Sequence, residues 1–135
     1  MLICVIGGKL SEGINFSDNL ARTVFVFGLP FPSTQSQALK EKMAFYDQLS
    51  KKSSSSFDGK QFYENLTMRV LNQAVGRALR HAQDYAVIAI VDSRIQVRDD
   101  LRAKLPGWIR QRVCVAKTAT DLQNELTQFY AQFSS

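Results

Sequence analysis

The stretch Asn65-Leu-Thr-Met-Arg-Val-Leu-Asn-Gln-Ala-Val-Gly-Arg-Ala-Leu-Arg-His81 has the periodicity of an amphipathic helix, and we predict a helix over residues 60–81. Gln73, Arg77 and Arg80 fall on one narrow polar face at i, i+4 and i+7, with Arg69 at its edge. Gly76 interrupts a good helix beside them at a cost of about 1 kcal/mol relative to alanine, which suggests that a large group approaches the backbone there. The opposite face carries six apolar residues that would pack on a core: Met68, Leu71, Ala74, Val75, Ala78 and Leu79.

The rest of the chain alternates between strand and helix patterns. Apolar runs predict strands at residues 2–6, 22–28, 85–91 and 112–117. Helices are predicted between them at residues 35–49, capped by Ser33 or Thr34, at 60–81 and at 97–105, with a last helix starting at Thr118 or Thr120. This alternation predicts an α/β fold, a parallel sheet with helices on both faces.

The length and composition of the chain indicate one globular domain. The chain has 135 residues, of which 45% are hydrophobic and 21% charged, and no run approaches the roughly 18 apolar residues of a membrane span. The formal net charge of +5 is compatible with a polyanionic partner. Nothing at the start has the form of a signal peptide, so an intracellular protein is expected.

Cysteine and histidine usage excludes several classes of site. Cys4 and Cys114 lie in apolar runs and are expected to be small buried hydrophobes in a reducing compartment. His81 is the single histidine, and no C-x-x-C pair exists, so neither a soft-ligand metal site nor a Ser-His-Asp or Cys-His enzyme is expected.

Two further segments carry polar groups at the ends of predicted strands. Gly8-Lys9 fails the phosphate-loop pattern G-x-x-x-x-G-K-[ST] twice, at Ile3 and at Leu10. Asp92-Ser-Arg94 follows the strongest predicted strand, at the carboxyl edge where open α/β sheets place ligands.

Three segments together resemble a known family. Residues 73–80 have the form Q-x-x-G-R-x-x-R and resemble motif VI of superfamily 2 helicases, while residues 7–18, Gly-Gly-Lys-Leu-Ser-Glu-Gly-Ile-Asn-Phe-Ser-Asp, resemble motif V. Residues 29–43, 84–94 and 104–109 continue a match to XPD-like iron–sulfur DNA helicases over nearly the whole chain. The form Ser-Glu-Gly-Ile-Asn-Phe is similar to the Chl-type, chromosome-cohesion branch.

This resemblance implies a fold and a partial function. Residues 1–135 would be the C-terminal part of the second of two RecA-like motor domains, which bind ATP and Mg²⁺ between them and single-stranded DNA across both. The sequence has no Walker A loop and no D-E-A-H box, so the chain alone is expected to be inactive. The family's iron–sulfur cluster would belong to the parent protein only, since the ligands are absent here. A nuclear location, a role in DNA repair, no membrane partner and no homo-oligomer are also implied.

The resemblance also assigns roles to single residues. Arg77 and Arg80 would stabilise charge on the γ-phosphate, with Gln73 positioning the site beside Gly76. In motif V, Glu12, Gly13 and Asn15 would face the nucleotide, while Lys9 and Ser11 would contact DNA phosphates without reading sequence. Asn15 stands where the XPD pattern has aspartate, so a role that needs negative charge there is lost.

The sequence leaves three other interpretations open. The arginines on residues 65–81 could form an ordinary solvated basic face. The chain could be a degenerate RecA-like module that binds DNA or protein without ATP hydrolysis, although the intact set Gln73, Arg77 and Arg80 argues against degeneration. A generic nucleotide-binding α/β domain lacks the glycine-rich phosphate loop that would support it.

Overall fold

A computed structural model describes residues 2–8, 21–53, 56–79 and 84–133. The chain divides after Leu105 into two compact units. The first unit contains both strands and the long helices, and the second contains two further helices. No helix within the described ranges is long and apolar enough to cross a membrane.

A two-stranded parallel sheet forms the centre of the first unit. Strand β1 spans Thr23–Phe27 and strand β2 spans Val87–Val91, paired in register from Thr23 opposite Val87 to Phe27 opposite Val91. Val26 is 3% exposed, whereas its neighbours Phe25 and Phe27 point to an exposed face. The two strands and their parallel pairing agree with the predicted α/β class.

Two helices of 17 residues each connect the two strands. Helix α1 spans Gln37–Ser53 and helix α2 spans Gly59–Val75. The predicted caps of α1 were wrong, because the Leu39 N–H donates to Ser36 Oγ (3.4 Å) and Ser33 Oγ instead accepts from the Gln35 N–H. Leu39 on α1 is buried.

The junction of α1 and α2 depends on a glycine. The Gly59 N–H donates to Asp47 Oδ1 (2.8 Å), and a Cβ at this position would lie 2.4 Å from Met43 O. Only glycine therefore lets the start of α2 approach the α1 backbone so closely. Asp58 caps α2 by accepting the Gln61 N–H (2.8 Å).

Two short helices follow β2, and only the second lies wholly within the helix predicted over residues 97–105. Helix α3 spans Ser93–Val97 and helix α4 spans Asp99–Arg102. Arg98 separates them in an extended conformation and pairs with Glu64 of α2 (Nη2 to Oε1, 2.6 Å) and with Asp100. Leu101 and Leu105 are buried. The helix within the predicted range is therefore shorter than expected and begins after Arg98.

The second unit contains α5 (Gly107–Arg110) and α6 (Ala119–Ala131). Thr118 caps α6 in a reciprocal arrangement with Asp121, which confirms the first of the two predicted start sites. Along α6, Phe129 and Phe133 lie one turn apart with ring centroids at 5.2 Å.

Two predicted strands do not form. Residues 2–5 and 113–117 have no strand pairing among the described residues, and Ile3 and Val5 are 79% and 80% exposed. An apolar run becomes a buried strand only where neighbouring strands pair with its edges and helices cover its faces. The prediction that Cys4 and Cys114 are buried was wrong for the same reason, since both are exposed.

Candidate functional site at the end of helix α2

Helix α2 packs its apolar face on the core as the sequence predicts. Met68, Leu71 and Val75 are 2%, 0% and 0% exposed, and Ala78 just beyond the helix is 1% exposed. Thr67, also fully buried, satisfies its hydroxyl by donating to Tyr63 O (3.0 Å). The buried face fixes the rotation of α2 and therefore fixes which residues point outward.

Three polar residues point outward from α2 at i, i+4 and i+8: Asn65, Arg69 and Gln73, hereafter the α2 stripe. All three are exposed. Their side chains make no hydrogen bond or ion pair to any other residue that the structure describes. Side chains that stabilised this fold would have partners in it, so the α2 stripe is available to a group outside these residues.

The helix ends earlier than the sequence predicts. Gly76 is the C-cap of α2, with φ −66° and ψ −13°, so the helix stops at Val75 instead of continuing to residue 81. Beyond it the Arg77 N–H donates to Ala74 O (3.4 Å) and the Ala78 N–H to Val75 O (3.1 Å). These i to i+3 bonds describe a tighter turn, which follows a residue that is a poor helix former.

This ending changes the predicted i, i+4, i+7 alignment. Gln73 lies in the last turn of α2, whereas Arg77 lies in the turn after it and is partly buried. Arg80 lies outside the described residues. Gly76 is exposed, and a Cβ there would contact only carbonyl oxygens of the preceding turn, Asn72 O at 3.0 Å and Gln73 O at 3.8 Å. Apart from its two chain neighbours, no described side chain lies within 4 Å of that Cβ position.

A shallow groove of about 440 Å³ runs beside the α2 stripe. It is lined by amides, two cations and one apolar side chain: Asn65, Met68, Arg69, Asn72, Gln73 and Lys104. No carboxylate is among these lining residues. A surface of this composition attracts an acceptor or an anion.

Lys104 reaches the groove because two contacts hold it against α2. The Asn72 Nδ2 donates to Lys104 O (2.9 Å), and Lys104 Nζ lies 3.5 Å from Glu64 Oε2. Glu64 is buried at 4% exposure and also pairs with Arg98. A buried carboxylate needs such partners, because burying an unpaired charge is costly. The same contacts that satisfy Glu64 therefore shape the wall of the groove.

The polar group at the carboxyl end of β2 proves to be structural. Asp92 accepts hydrogen bonds from the Leu29 N–H (2.8 Å) and the Arg94 N–H (2.8 Å), and its carboxylate forms a forked pair with the Arg94 guanidinium. The Arg94 guanidinium also lies 4.6 Å from the centre of the Phe31 ring. Asp92 thus caps α3 and ties the exits of both strands together, and both its oxygens are occupied.

The electrostatics of this cluster follow from its hydrogen bonds. The Arg94 side chain, followed by the backbone N–H groups of Leu29 and Arg94, holds the pKa of Asp92 far below its ordinary value against the opposing effect of burial. The pKa of Arg94 is raised by the same pairing. Both charges are therefore permanent at neutral pH and committed to each other.

The remaining predicted site residues lie outside the described residues. They are the motif V positions Lys9, Ser11, Glu12, Gly13 and Asn15, together with Arg80 of motif VI. Two predicted catalytic residues, Gln73 and Arg77, and the predicted cofactor-binding Gly76 lie within five consecutive residues at the end of α2. No group of three or more potential metal ligands occurs within the described ranges.

Sequence reasoning missed three residues around the groove: Glu64, Asn72 and Lys104. Asn72 has no local signal of its role, because its contact is with Lys104, 32 residues further along the chain. Glu64 could have been flagged as a carboxylate inside an otherwise apolar helix face, which requires a partner. Lys104 has no local signal that would place it beside α2.

Comparison with known proteins places the chain in a family. Residues 1–112 match the helicase C-terminal domain family, and the chain belongs to it. More particularly, it is similar to helicases of the Chl-type branch. It is 43% identical over 148 aligned residues to the ATP-dependent DNA helicase chl1 of Neosartorya fischeri. The alignment covers 100% of this chain and 17% of that protein.

Two other ATP-dependent DNA helicases are similar to this chain at comparable identity. The ATP-dependent DNA helicase DDX11 of Mus musculus is 47% identical over 119 residues, covering 87% of this chain and 13% of that protein. The ATP-dependent DNA helicase chl1 of Schizosaccharomyces pombe is 44% identical over 115 residues, covering 84% of this chain and 14% of that protein. The chain thus spans less than a fifth of the length of these three relatives, and the resemblance to XPD-like helicases of the Chl type is confirmed.

Proposed function

We propose that this chain is the C-terminal part of the second RecA-like motor domain of an ATP-dependent DNA helicase. In this proposal Gln73, Arg77 and Arg80 complete an ATP site that is shared with the first motor domain. The observation that carries it is the end of α2. There the Q-x-x-G-R-x-x-R segment leaves Gln73 exposed and without a partner among the described residues, close to the exposed Gly76.

The chemistry of these residues suits phosphoryl transfer. Charge builds up on the γ-phosphate oxygens in the transition state, and a guanidinium keeps its charge at every physiological pH while its planar fork matches two oxygens. Arg77 and Arg80 would supply this stabilisation once the two motor domains close. Gln73 would donate its amide hydrogens to the nucleotide or to the residues that hold it. The remaining ligands of ATP and Mg²⁺ would come from outside this sequence.

Motif V would connect the ATP site to DNA. Glu12, Gly13 and Asn15 would face the nucleotide, and Lys9 and Ser11 would contact the backbone of single-stranded DNA. Contacts to phosphates position a strand without reading its sequence, as a translocating motor requires. The chain by itself would hydrolyse no ATP above background, since it contains no phosphate-binding loop. An iron–sulfur cluster, a nuclear location and a role in DNA repair would be properties of the parent protein.

The experiment is the ATP turnover of the full-length helicase carrying Arg80→Ala. Loss of an arginine that acts on the γ-phosphate is expected to lower turnover by roughly 10³- to 10⁵-fold. Arg80→Lys is expected to rescue it poorly, because an ammonium keeps the charge and loses the fork. Arg112→Ala, which removes an exposed arginine outside the motif, is the matched control and should retain wild-type turnover. Normal DNA-stimulated turnover by folded Arg80→Ala protein would show instead that the module acts without this ATP site.

A further inference from the structure

Helix α1 exposes apolar side chains on the side that faces away from the core. Leu39 is the buried residue of α1, whereas Phe45 and Leu49, one turn apart, are 59% and 44% exposed. Residues three, four and seven positions apart share one face of a helix. That face carries five exposed residues, hereafter the α1 surface: Ala38, Lys42, Phe45, Leu49 and Lys52. None of them belongs to the proposed ATP site or to the proposed DNA contacts.

A cleft of about 430 Å³ runs beside the α1 surface, between α1 and the first turn of α2. Its walls are largely aromatic. The Tyr46 ring packs edge-to-face on Phe45, with centroids 5.5 Å apart, and stacks on Phe62 of α2 at 4.8 Å. The close approach of the two helices at Gly59 holds these rings on a fixed frame. A cleft that is already formed binds an apolar group without the cost of ordering its own side chains.

Two lysines lie at the two ends of the apolar residues. Lys42 is one turn before Phe45 and Lys52 is one turn after Leu49, and neither forms an ion pair with a residue in the described ranges. At a rise of 1.5 Å per residue they are about 15 Å apart along the helix axis. Glu41, which also lines the cleft, accepts a hydrogen bond from the Gln37 amide (3.1 Å). The α1 surface is therefore apolar at its centre and positively charged at both ends.

This pattern favours an acidic helix over two other occupants. Single-stranded nucleic acid stacks successive bases on successive exposed rings, but Tyr46 is already packed between its neighbours and Leu49 has no aromatic face. Two copies of the α1 surface, with their apolar residues together, would bring lysine against lysine in either helix orientation, which is unfavourable. An amphipathic helix with carboxylates at both ends of its apolar face satisfies the apolar residues and the lysines together.

We propose that the α1 surface docks an acidic amphipathic helix of a partner protein. Apolar residues of that helix at i, i+4 and i+7 would pack on Phe45 and Leu49 and enter the cleft. Two of its carboxylates, about ten residues apart, would pair with Lys42 and Lys52. On α2, Phe62 precedes Gln73 by about 16 Å along the helix axis, so this surface is separate from the end of α2 that the proposed ATP site uses.

The test is fluorescence anisotropy of labelled peptides of about four helical turns, titrated with the full-length helicase. The peptides share leucines at i, i+4 and i+7 and differ at two flanking positions about ten residues apart, which carry glutamate, glutamine or lysine. The glutamate peptide is expected to bind most tightly. The glutamine peptide should bind about tenfold more weakly and the lysine peptide more weakly still, because they lose and then reverse the pairing with the two lysines.

Variants of the helicase locate the binding site. Phe45→Ala should weaken binding of the glutamate peptide by about tenfold or more, since it removes the exposed ring at the centre of the surface. Leu49→Ala should act in the same direction. Lys42→Gln and Lys52→Gln should each weaken binding by about threefold to fivefold. Lys51→Gln removes the same charge from an exposed residue on another face of α1, so it is the matched control and should bind like the wild type.

Four results would overturn this proposal. The first is no binding of the glutamate peptide at about 100 μM helicase, a concentration that populates even a weak helix-in-groove site. The second is equal binding of the glutamate and lysine peptides. The third is unchanged affinity in both Phe45→Ala and Leu49→Ala. The last is displacement of the peptide by oligothymidylate or by self-association of the helicase, which would make nucleic acid or a second copy the occupant. ATP turnover of Arg80→Ala judges the proposed function separately.

Discussion

Two polar groups of the same unit differ in how far the fold itself satisfies them. At the exits of the strands, Asp92 has both oxygens occupied by Leu29 and Arg94, and the Arg94 guanidinium also contacts the Phe31 ring. On the α2 stripe, Asn65, Arg69 and Gln73 make no hydrogen bond or ion pair to other described residues. From the sequence, the segment Asp92-Ser-Arg94 and Gln73 of the stripe are both candidates for a site.

The difference separates polar residues that the fold uses for its own stability from polar residues that have no partner among the described residues. A group that the fold saturates contributes to stability and has no free donor or acceptor for a ligand. A group that the fold leaves unpaired, on a helix whose other face is buried, contributes little to stability and remains available. Mutations in the two groups should therefore change different measurements.

The largest effect on stability is expected from Asp92→Ala. The substitution removes the cap of α3, leaves the Leu29 N–H without its acceptor and leaves Arg94 without its counter-ion, so unfolding free energy should fall by about 2–4 kcal/mol. Urea denaturation followed by circular dichroism measures it. Asp100→Ala removes a carboxylate from an exposed pair with Arg98 and serves as the control with a much smaller loss. Equal losses in both would contradict the distinction.

Glu64→Gln should have the next largest effect. The buried carboxylate pairs with Arg98 and Lys104, and a neutral amide keeps the shape while losing both ionic contacts, so about 1–3 kcal/mol should be lost in the same denaturation experiment. Glu64 and its sequence neighbour Asn65 differ in this respect: Glu64 has two ion-pair partners in the fold, whereas Asn65 has no partner among the described residues. An unchanged midpoint for Glu64→Gln would show that the wall of the groove is held by the Asn72 amide alone.

The dependence of stability on pH should come partly from Asp92. Its pKa is lowered in the fold from an ordinary value of 3.8, so its contribution is complete above that value and is lost as pH falls towards the folded pKa. Unfolding free energy of the wild type should therefore decrease below about pH 4. Asp92→Asn, which cannot titrate, should show a flatter acid limb. Parallel acid limbs for the two proteins would contradict the assignment.

The smallest effect on stability is expected in the α2 stripe. Asn65→Ala and Gln73→Ala remove exposed side chains that have no partners among the described residues, so unfolding free energy should change by no more than about 0.5 kcal/mol. The midpoint of thermal unfolding, compared between each variant and the wild type, measures this change. A loss comparable to that of Glu64→Gln would mean that the stripe is structural after all.

The sequence predicts those parts of this fold that depend on local pattern. Periodicity identified both strands, the buried face of α2 and the cap at Thr118, because each depends on residues close together in the chain. It failed for residues 2–6 and 112–117, because an apolar run does not specify the neighbours that make it a strand. The contact between Asn72 and Lys104 and the saturation of Asp92 by Leu29 join distant segments, so no local signal predicts them.

The candidate site was predictable in part. The motif identified Gln73, Gly76 and Arg77, and the structure adds that α2 ends at Gly76 and that a donor-rich groove begins beside Gln73. The end of the helix is not predictable from periodicity, because the apolar pattern continues past Gly76 to Leu79. The structure instead shows i to i+3 hydrogen bonds from Arg77 and Ala78 after the helix ends, with Ala78 buried as the sequence predicts.

The most direct test of the central claim is the ATP turnover of the full-length helicase carrying Arg77→Lys, with unfolding measured on the same preparation. Lysine keeps the positive charge, so stability should stay within about 0.5 kcal/mol of the wild type. Turnover should nevertheless fall by roughly 10³-fold, because the guanidinium fork that matches the γ-phosphate oxygens is lost. Wild-type turnover from a folded Arg77→Lys protein would contradict the claim that the exposed end of α2 acts on ATP.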